Sequence, residues 1–258
     1  MKNQTALITG ASSGIGRALA FEFASHGWNL VLVARRGALL DQLATDLRAI
    51  HKVEVSTIAF DLTASNAARA LHDEISSRNL SIDCLVNNAG RGHFGEFIEQ
   101  SWQTDEETIH LNISVLTSLC HVFAPDMVKR RNGFILNIAS IAGFVPGPKL
   151  AVYHASKAYV LSLSQALHAE LSPYKVSVTA SCPGPTESEF FEKAGTQKLK
   201  ALSYLKLMPA ETVAHQAYQA MMHRRPIVVH GLMNRLMAES PRIMPKSWVA
   251  PLLKTFMK

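Results

Sequence analysis

The chain has 258 residues, of which 48% are apolar and 18% charged, which is enough for one large domain with a sizeable core. No linker rich in glycine, serine or proline divides it, so we expect a single domain. The net charge is +6, but residues 1–223 carry equal numbers of basic and acidic side chains. The excess lies in residues 224–258, with seven basic residues and one acidic residue, which argues against a nucleic-acid-binding protein.

Cysteine usage and the N-terminal sequence indicate a reducing compartment. Cys84, Cys120 and Cys182 lie in or beside apolar segments and form no C-x-x-C pair, so we expect a cytoplasmic protein without disulfides. The first ten residues lack the pattern of a signal peptide, and no run of eighteen apolar residues predicts a membrane span. The eleven histidines show no zinc-binding spacing, so no metal site is expected.

Short apolar segments alternate with helical patterns along the chain. Strands are predicted at 5–9, 30–34, 54–60, 84–86, 133–138, 176–180 and, as an edge strand, at 226–229. Helices are predicted at 17–25, 39–47, 64–78, 153–171 and 104–130, the last with a kink or break at Pro125. This alternation predicts an α/β fold in which a doubly wound parallel sheet has helices on both faces.

Polar residues or glycines follow six predicted strands in succession. They are Gly10, Arg35, Asp61, Asn87, Ser140 and the pair Pro183-Gly184. Because ligands of such sheets bind at the carboxyl ends of the strands, these residues are expected to share one crevice.

The first of these strand ends is a glycine-rich loop, Thr9-Gly10-Ala11-Ser12-Ser13-Gly14-Ile15-Gly16. Glycines let the backbone approach a pyrophosphate closely, and the N-terminus of the following helix presents unpaired N–H groups. The loop lacks the Gly-Lys-Ser/Thr ending of a P-loop, which argues against an ATPase. The alternative is a glycine-rich turn with no ligand.

Tyr153 and Lys157 are four residues apart in a predicted helix and therefore lie on one face. A nearby ammonium group favours the phenolate and lowers the tyrosine pKa from its usual value of about 10. A tyrosine tuned in this way could exchange a proton with a substrate oxygen. The pair alone is also typical of a solvated helix face.

Together these motifs resemble the short-chain dehydrogenase/reductase family over roughly residues 3–230. The matching positions are the Thr9–Gly16 loop, Asn87-Asn88-Ala89-Gly90, Asn112, Ser140, Tyr153-x-x-x-Lys157 and Pro183-Gly184. The resemblance implies a single Rossmann-type domain at 1–230, with 231–258 as a basic amphipathic extension of it. It also implies that the fold binds a nicotinamide dinucleotide.

The resemblance implies a role for each catalytic residue. Tyr153 would act as acid and base, and Lys157 would lower its pKa and bind the nicotinamide ribose. Ser140 would hydrogen-bond the substrate oxygen, and Asn112 would hold a water that links Lys157 to solvent. The implied cofactor contacts are Gly10, Ser12, Ser13, Gly14, Ile15, Gly16, Asp61, Leu62, Asn88, Ala89, Gly90, Tyr153, Lys157, Pro183, Gly184 and Thr186.

The end of the second strand predicts the choice of cofactor. Val33-Ala34-Arg35-Arg36 lacks the carboxylate that would bind the ribose 2′-OH of NAD(H) and offers two guanidinium groups for a 2′-phosphate. We therefore expect NADP(H), with Arg35 as the main contact and Ser12 or Arg36 assisting. Alternatively, both arginines are solvated surface residues, and Asp61 is a helix cap.

The expected reaction transfers a hydride between the nicotinamide and a carbonyl or secondary alcohol, and NADP(H) favours reduction. The alternatives are NAD-dependent alcohol oxidation and a non-catalytic regulator or scaffold that only binds the cofactor. The resemblance also implies a homodimer or homotetramer formed through the helices at 104–130 and 153–171.

Two segments are expected to lie near the substrate site. Residues 185–210, with Glu189-Phe190-Phe191, Leu199, Leu202, Leu205 and Leu207, are interpreted as short helices over the cofactor, and His93 as a border of an apolar substrate cavity. Residues 231–258 combine apolar and basic side chains. This extension could pack on the substrate cleft or a partner subunit, lie peripherally on an anionic membrane, or be loosely ordered.

Overall fold

A computed structural model of the chain describes residues 4–190, 194–195, 207–240 and 245–256. Its strands are β1 Thr5–Thr9, β2 Asn29–Ala34, β3 Val55–Ala59, β4 Cys84–Asn87, β5 Gly133–Ile138, β6 Val176–Cys182 and β7 Ile227–Val229. Its helices are α1 Gly14–Ser25, α2 Gly37–His51, α3 Ala67–Ser77, α4 Trp102–Ile109, α5 Leu116–Arg130, α6 Ala151–Leu171, α7 Ala210–Met222, α8 Leu232–Glu239 and α9 Lys246–Phe256.

The strands form one parallel sheet in the order β3-β2-β1-β4-β5-β6-β7, which confirms the predicted doubly wound α/β fold. The chain reverses its direction of travel across the sheet between β1 and β4. In sheets of this kind a crevice opens at that reversal, outside the carboxyl ends of the strands. The predicted strand-end residues lie at this edge.

Each face of the sheet carries its own apolar core. Successive side chains of a strand point to opposite faces, so Ala6 and Ile8 pack in one core and Leu7 in the other. The first core includes residues of α1, α2 and α7, and the second includes residues of α3, α5 and α6. Helices on both faces explain why the strands are nearly continuous apolar runs.

The long helix predicted at 104–130 is interrupted, but not at Pro125. Residues His110–Val115 form a π-helical turn between α4 and α5, and α5 continues through Pro125. Proline removes one backbone hydrogen bond from a helix. Here Phe123 and Met127 on either side of it are buried in the core, and this packing holds the helix together.

By length and composition alone, Trp102–Arg130 could also span a bilayer, contrary to the expectation from apolar runs. Core helices of folded proteins can be equally long and apolar. In this fold 39% of its most apolar stretch is buried, and Leu116, Leu119 and Phe123 pack in the core with strand residues. We therefore interpret it as a helix of the domain.

The extension at 231–258 is folded against the domain where it is described. Helix α8 contacts β7 and the short 3₁₀ turn Ile141–Phe144, which follows Ser140. Helix α9 buries Val249. These contacts agree with packing near the substrate cleft, whereas contact with a membrane or a second subunit stays a prediction.

Candidate active site

A cleft of about 1030 Å³ lies at the carboxyl ends of the strands and collects most of the predicted residues. The predicted residues that line it are Gly10, Ser12, Ser13, Gly14, Ile15, Arg35, Arg36, Asp61, Leu62, Asn88, Ala89, Gly90, Ser140, Tyr153, Lys157, Pro183, Gly184 and Thr186. Gly16 and Asn112 lie behind this lining.

The glycine loop between β1 and α1 fits a close approach of a phosphate group. Gly10 and Gly14 have φ angles of 64° and 53°, in the region that favours glycine. A Cβ atom on Gly16 would lie 2.4 Å from both the Gly10 carbonyl oxygen and Asn88 Nδ2. Gly16 therefore brings α1 against the loop, while Ser12 to Ile15 border the cleft at the helix N-terminus. These features suit a dinucleotide pyrophosphate.

Asn88 holds the glycine loop in place from the end of β4. Its Nδ2 atom donates to the carbonyl oxygens of Thr9 at 2.9 Å and Gly10 at 3.2 Å. The Thr9 hydroxyl in turn accepts from the backbone N–H groups of Asn88 and Ala89. The amide nitrogen of Asn88 is thus committed to the loop, and the residue lines the cleft.

Beside the glycine loop, the two arginines after β2 differ in their surroundings. Arg35 is exposed on the cleft, and no ion pair to it is found among the described residues. The guanidinium of Arg36 donates to Ser12 Oγ at 3.1 and 3.3 Å and pairs with both carboxylate oxygens of Glu189, at 3.2 and 3.1 Å. Nothing local in the sequence indicates this last contact, because 153 positions separate the two residues.

Asp61 caps its own turn. One carboxylate oxygen accepts from the backbone N–H and the hydroxyl of Thr63, at 2.9 and 2.7 Å. These two hydrogen bonds are the main reason that its pKa is lowered from the ordinary value, with a smaller effect of Arg35. Asp61 also lines the cleft beside the buried Leu62. The helix-cap alternative is wrong, because the following helix α3 begins at Ala67 with Asn66 at its N-cap.

Ser140, Tyr153 and Lys157 meet at the opposite end of the cleft. Ser140 follows β5 by two residues, and its hydroxyl accepts from the Ala142 N–H at 3.1 Å and donates to the Pro183 carbonyl at 3.3 Å. Lys157 Nζ donates to the Ile138 carbonyl at 2.8 Å and lies 5.8 Å from the centre of the Tyr153 ring. The sheet and α6 therefore bring the three residues to one place.

The expected low pKa of Tyr153 is wrong for this structure. Burial raises its pKa to about 12, and a hydrogen bond with Ser140 opposes that rise. Lys157 is itself buried, and burial lowers its pKa to about 8, so part of its charge is lost near neutral pH. Lys157 is no cause of the Tyr153 shift, since its ammonium is held by the Ile138 carbonyl.

Asn112 occupies the π-helical turn and is 1% exposed. Its Oδ1 accepts from the backbone N–H of Arg91 at 2.9 Å, and its Nδ2 donates to the Arg91 carbonyl at 2.8 Å and to Ser156 Oγ at 2.9 Å. The side chain thus ties the cleft residue Arg91 to α6, at the turn between Tyr153 and Lys157. The predicted water between Asn112 and Lys157 stays a prediction.

The 186–190 segment, which the sequence marked only as part of short helices, lies across the cleft. A Cβ atom on Gly14 would be 2.9 Å from Ser188 Cβ, and the Phe190 ring lies 5.2 Å from that of Tyr153. Phe191 and residues 199–205 of that prediction lie outside the described residues.

The substrate end of the cleft contains further residues that the motifs did not identify. It is lined by Met237 of α8, by Ser240 directly after α8, and by Val249, Leu252 and Leu253 of α9. Their helical spacing was the available signal. His93 lies on a small neighbouring pocket that also reaches Tyr153. His154 lines the main cleft and contacts the Val145 carbonyl.

The family profile described as short chain dehydrogenase matches residues 4–199. The chain belongs to the short-chain dehydrogenase/reductase family, oxidoreductases that bind a nicotinamide cofactor. It is 37% identical over 177 residues to a very-long-chain 3-oxoacyl-CoA reductase of Pyrenophora tritici-repentis, a match that covers 67% of this chain and 52% of the relative. The chain thus spans about half the length of that relative.

Three further relatives match nearly the whole chain. Sulfoacetaldehyde reductase 2 of Chromohalobacter salexigens is 33% identical over 89% of this chain and 91% of its own length. A short-chain dehydrogenase from Sphingobium yanoikuyae in complex with NADPH has a TM-score of 0.83 at 36% identity, over 93% of both chains. A relative from Burkholderia phymatum in complex with NAD has a TM-score of 0.77 at 26% identity, over 94% of this chain and 91% of that one.

Proposed function

We propose that the protein is an NADP(H)-dependent reductase of apolar carbonyl compounds. The observation that carries the proposal is a single cleft with Ser140, Tyr153 and Lys157 at one end and Arg35, Arg36 and the glycine loop at the other. The distribution of these groups matches a dinucleotide that lies along the strand ends with its nicotinamide beside Tyr153.

A bound NADPH would supply the hydride for the carbonyl carbon. Tyr153 donates its phenolic proton to the carbonyl oxygen, which leaves a neutral alcohol and a phenolate. Lys157 Nζ lies 5.8 Å from the centre of the Tyr153 ring, and its positive charge would favour that phenolate once the ammonium moves from the Ile138 carbonyl toward the phenolic oxygen. Ser140 offers its hydroxyl to the substrate oxygen, where negative charge develops.

Apolar side chains at the substrate end support the class of substrate. Phe190, Met237, Val249, Leu252 and Leu253 line the cleft there. A site of this composition favours a hydrocarbon-bearing carbonyl, because burying apolar area against it contributes roughly 25 cal/mol per Å². We expect a bulky apolar ketone or a 3-oxoacyl thioester to be reduced more efficiently than a small sulfonated aldehyde, measured as kcat/KM from nicotinamide absorbance.

The test of the reaction uses a pair of tyrosines on α6. Tyr153→Phe removes the proton donor and is expected to lower kcat by about 100-fold or more, with NADPH binding retained. Tyr159→Phe is the matched control, since Tyr159 is exposed and, among the described residues, its hydroxyl has one hydrogen-bond partner, Thr117 at 3.0 Å. Full turnover by Tyr153→Phe would overturn the proposed reaction and favour a non-catalytic protein that only binds the cofactor.

The test of the cofactor compares the dissociation constants of NADP(H) and NAD(H) for the wild type and Arg35→Ala. We expect the wild type to prefer NADP(H), and the variant to lose at least part of that preference, because an arginine–phosphate hydrogen bond contributes about 1.5–3 kcal/mol. A wild type that prefers NAD(H) would leave alcohol oxidation as the better interpretation.

A further inference from the structure

Arg36 forms an ion pair with a carboxylate of the protein itself, that of Glu189. Its two terminal nitrogens pair with the two carboxylate oxygens of Glu189 at 3.2 and 3.1 Å, a bidentate arrangement. The same guanidinium donates to Ser12 Oγ. Both side chains of the ion pair are 39% exposed, so the pair sits at the wall of the cleft and is accessible to a ligand.

Glu189 is carried to this position by the 186–190 segment. Thr186 forms an isolated bridge with Met208, and Ser188 packs directly over Gly14 of the glycine loop. Glu189 thereby crosses from the substrate side of the cleft to the side that carries Arg36. The geometry therefore places a carboxylate against the groups that are available for a ribose 2′-phosphate.

A carboxylate and a phosphate bind a guanidinium group through the same N–H donors. Each presents two oxygens to the same planar pair of N–H donors, so one edge of Arg36 cannot serve both fully. A carboxylate that stays nearby would also repel the phosphate. Glu189 thus lowers the affinity for a 2′-phosphate, whereas a ribose with a free 2′-OH carries no charge and has no such competitor.

We propose that Glu189 is a specificity-determining residue that competes with the 2′-phosphate of the cofactor for Arg36. The proposal rests on the NADP(H) function proposed above. Glu189 sets how strongly the site prefers a phosphorylated cofactor and keeps NADP(H) binding weaker than the two arginines alone would allow. The cofactor displaces the carboxylate from Arg36 when it binds.

The experiment measures binding without catalysis. The probes are 2′,5′-ADP, which carries the 2′-phosphate, and 5′-AMP, which lacks it, each titrated by calorimetry into the full chain. Glu189→Gln keeps the shape of the side chain and removes its charge. Because a partly exposed ion pair is weak, we expect this variant to bind 2′,5′-ADP about two- to fivefold more tightly and 5′-AMP unchanged.

The control for a general change of charge is Glu187→Gln. Glu187 is an exposed carboxylate two positions earlier, outside the cleft lining. It has no ion pair among the described residues. We expect its substitution to leave both dissociation constants within about 1.5-fold of the wild type. Equal tightening by both variants would overturn the proposal, since it would show only that any lost negative charge attracts the phosphate.

A double-mutant cycle tests whether Arg36 transmits the effect. In an Arg36→Ala background, Glu189→Gln is expected to change the affinity for 2′,5′-ADP much less than in the wild type. An undiminished effect there, or unchanged or weaker binding by Glu189→Gln alone, overturns the competition. A wild type that binds 2′,5′-ADP no more tightly than 5′-AMP would instead refute the proposed NADP(H) function itself.

Discussion

Replacing Asn112 with alanine should destabilise the domain and loosen the cleft at Arg91. The side chain of Asn112 makes three hydrogen bonds at a position that is 1% exposed, and two of them are to the backbone N–H and carbonyl of Arg91. The third, to Ser156, matters less, because that hydroxyl still donates to the Tyr153 carbonyl.

The magnitude follows from the groups left without a partner. A buried polar group that loses its hydrogen bond costs about 1–3 kcal/mol, so the two backbone groups of Arg91 together predict a loss of about 2–6 kcal/mol in the free energy of unfolding. Penetration of water from the cleft would move the value toward the lower end. Urea denaturation measures the loss, and hydrogen–deuterium exchange of peptides that contain Arg91 measures the local effect.

Thr117→Ala is the matched control for Asn112→Ala. Thr117 also connects the long helical stretch to α6, through Tyr159, but the contact is exposed and should contribute less than about 1 kcal/mol. If Asn112→Ala costs no more than this control, and exchange at Arg91 is unchanged, the structural role given to Asn112 is refuted. Its main contribution would then be to proton supply, as the sequence suggested.

Two other predictions concern acid stability and the glycine loop. His230 is fully buried, and burial lowers its pKa to about 4. Above about pH 6.5 the imidazole is neutral in both the folded and the unfolded chain, so it costs no stability. As the pH falls from 6.5 toward 4, the unfolded chain binds the proton preferentially, and the free energy of unfolding falls. That shift corresponds to about 3 kcal/mol, measurable by urea denaturation between pH 7 and 4. His230→Gln should show a shallower decline, and equal pH slopes would contradict the reasoning. Gly16→Ala would place a Cβ 2.4 Å from the Gly10 carbonyl, a backbone atom, and should cost about 1–3 kcal/mol and weaken binding of NADP+. Gly37→Ala, whose Cβ would lie 3.3 Å from a single side-chain atom, is the control, and similar losses in both variants would refute the steric argument.

The fold and the position of the cleft were predictable because their signals are local. Each strand is a short apolar run, and each strand end carries its polar residue or glycine within a few positions of the chain. The spacing of Tyr153 and Lys157 likewise needs only one helix to place both residues on one face. Parallel pairing then brings these local features to one edge of the sheet.

The remaining features depend on contacts between distant residues. Burial raises the pKa of Tyr153, and this burial depends on every element that packs around the cleft. The sequence alone showed only the neighbouring lysine. The ion pair between Arg36 and Glu189 joins residues 153 positions apart. A kink or break was expected at Pro125, but α5 continues through it, with Phe123 and Met127 packed in the core on either side.

The π-helical turn at His110–Val115 holds one residue more than a regular helix would need there. Because the turn absorbs that residue locally, α4 and α5 keep nearly the relative rotation of one continuous helix, although an α-helix rotates by about 100° per residue. Removing one residue would convert the turn to regular helix with little change in that relative rotation. Adding one residue would instead rotate α4 by about 100° relative to α5, and either Asn112 would turn away from Arg91 or the buried face of α5 would leave the core. The stretch is therefore expected to tolerate a one-residue deletion better than a one-residue insertion.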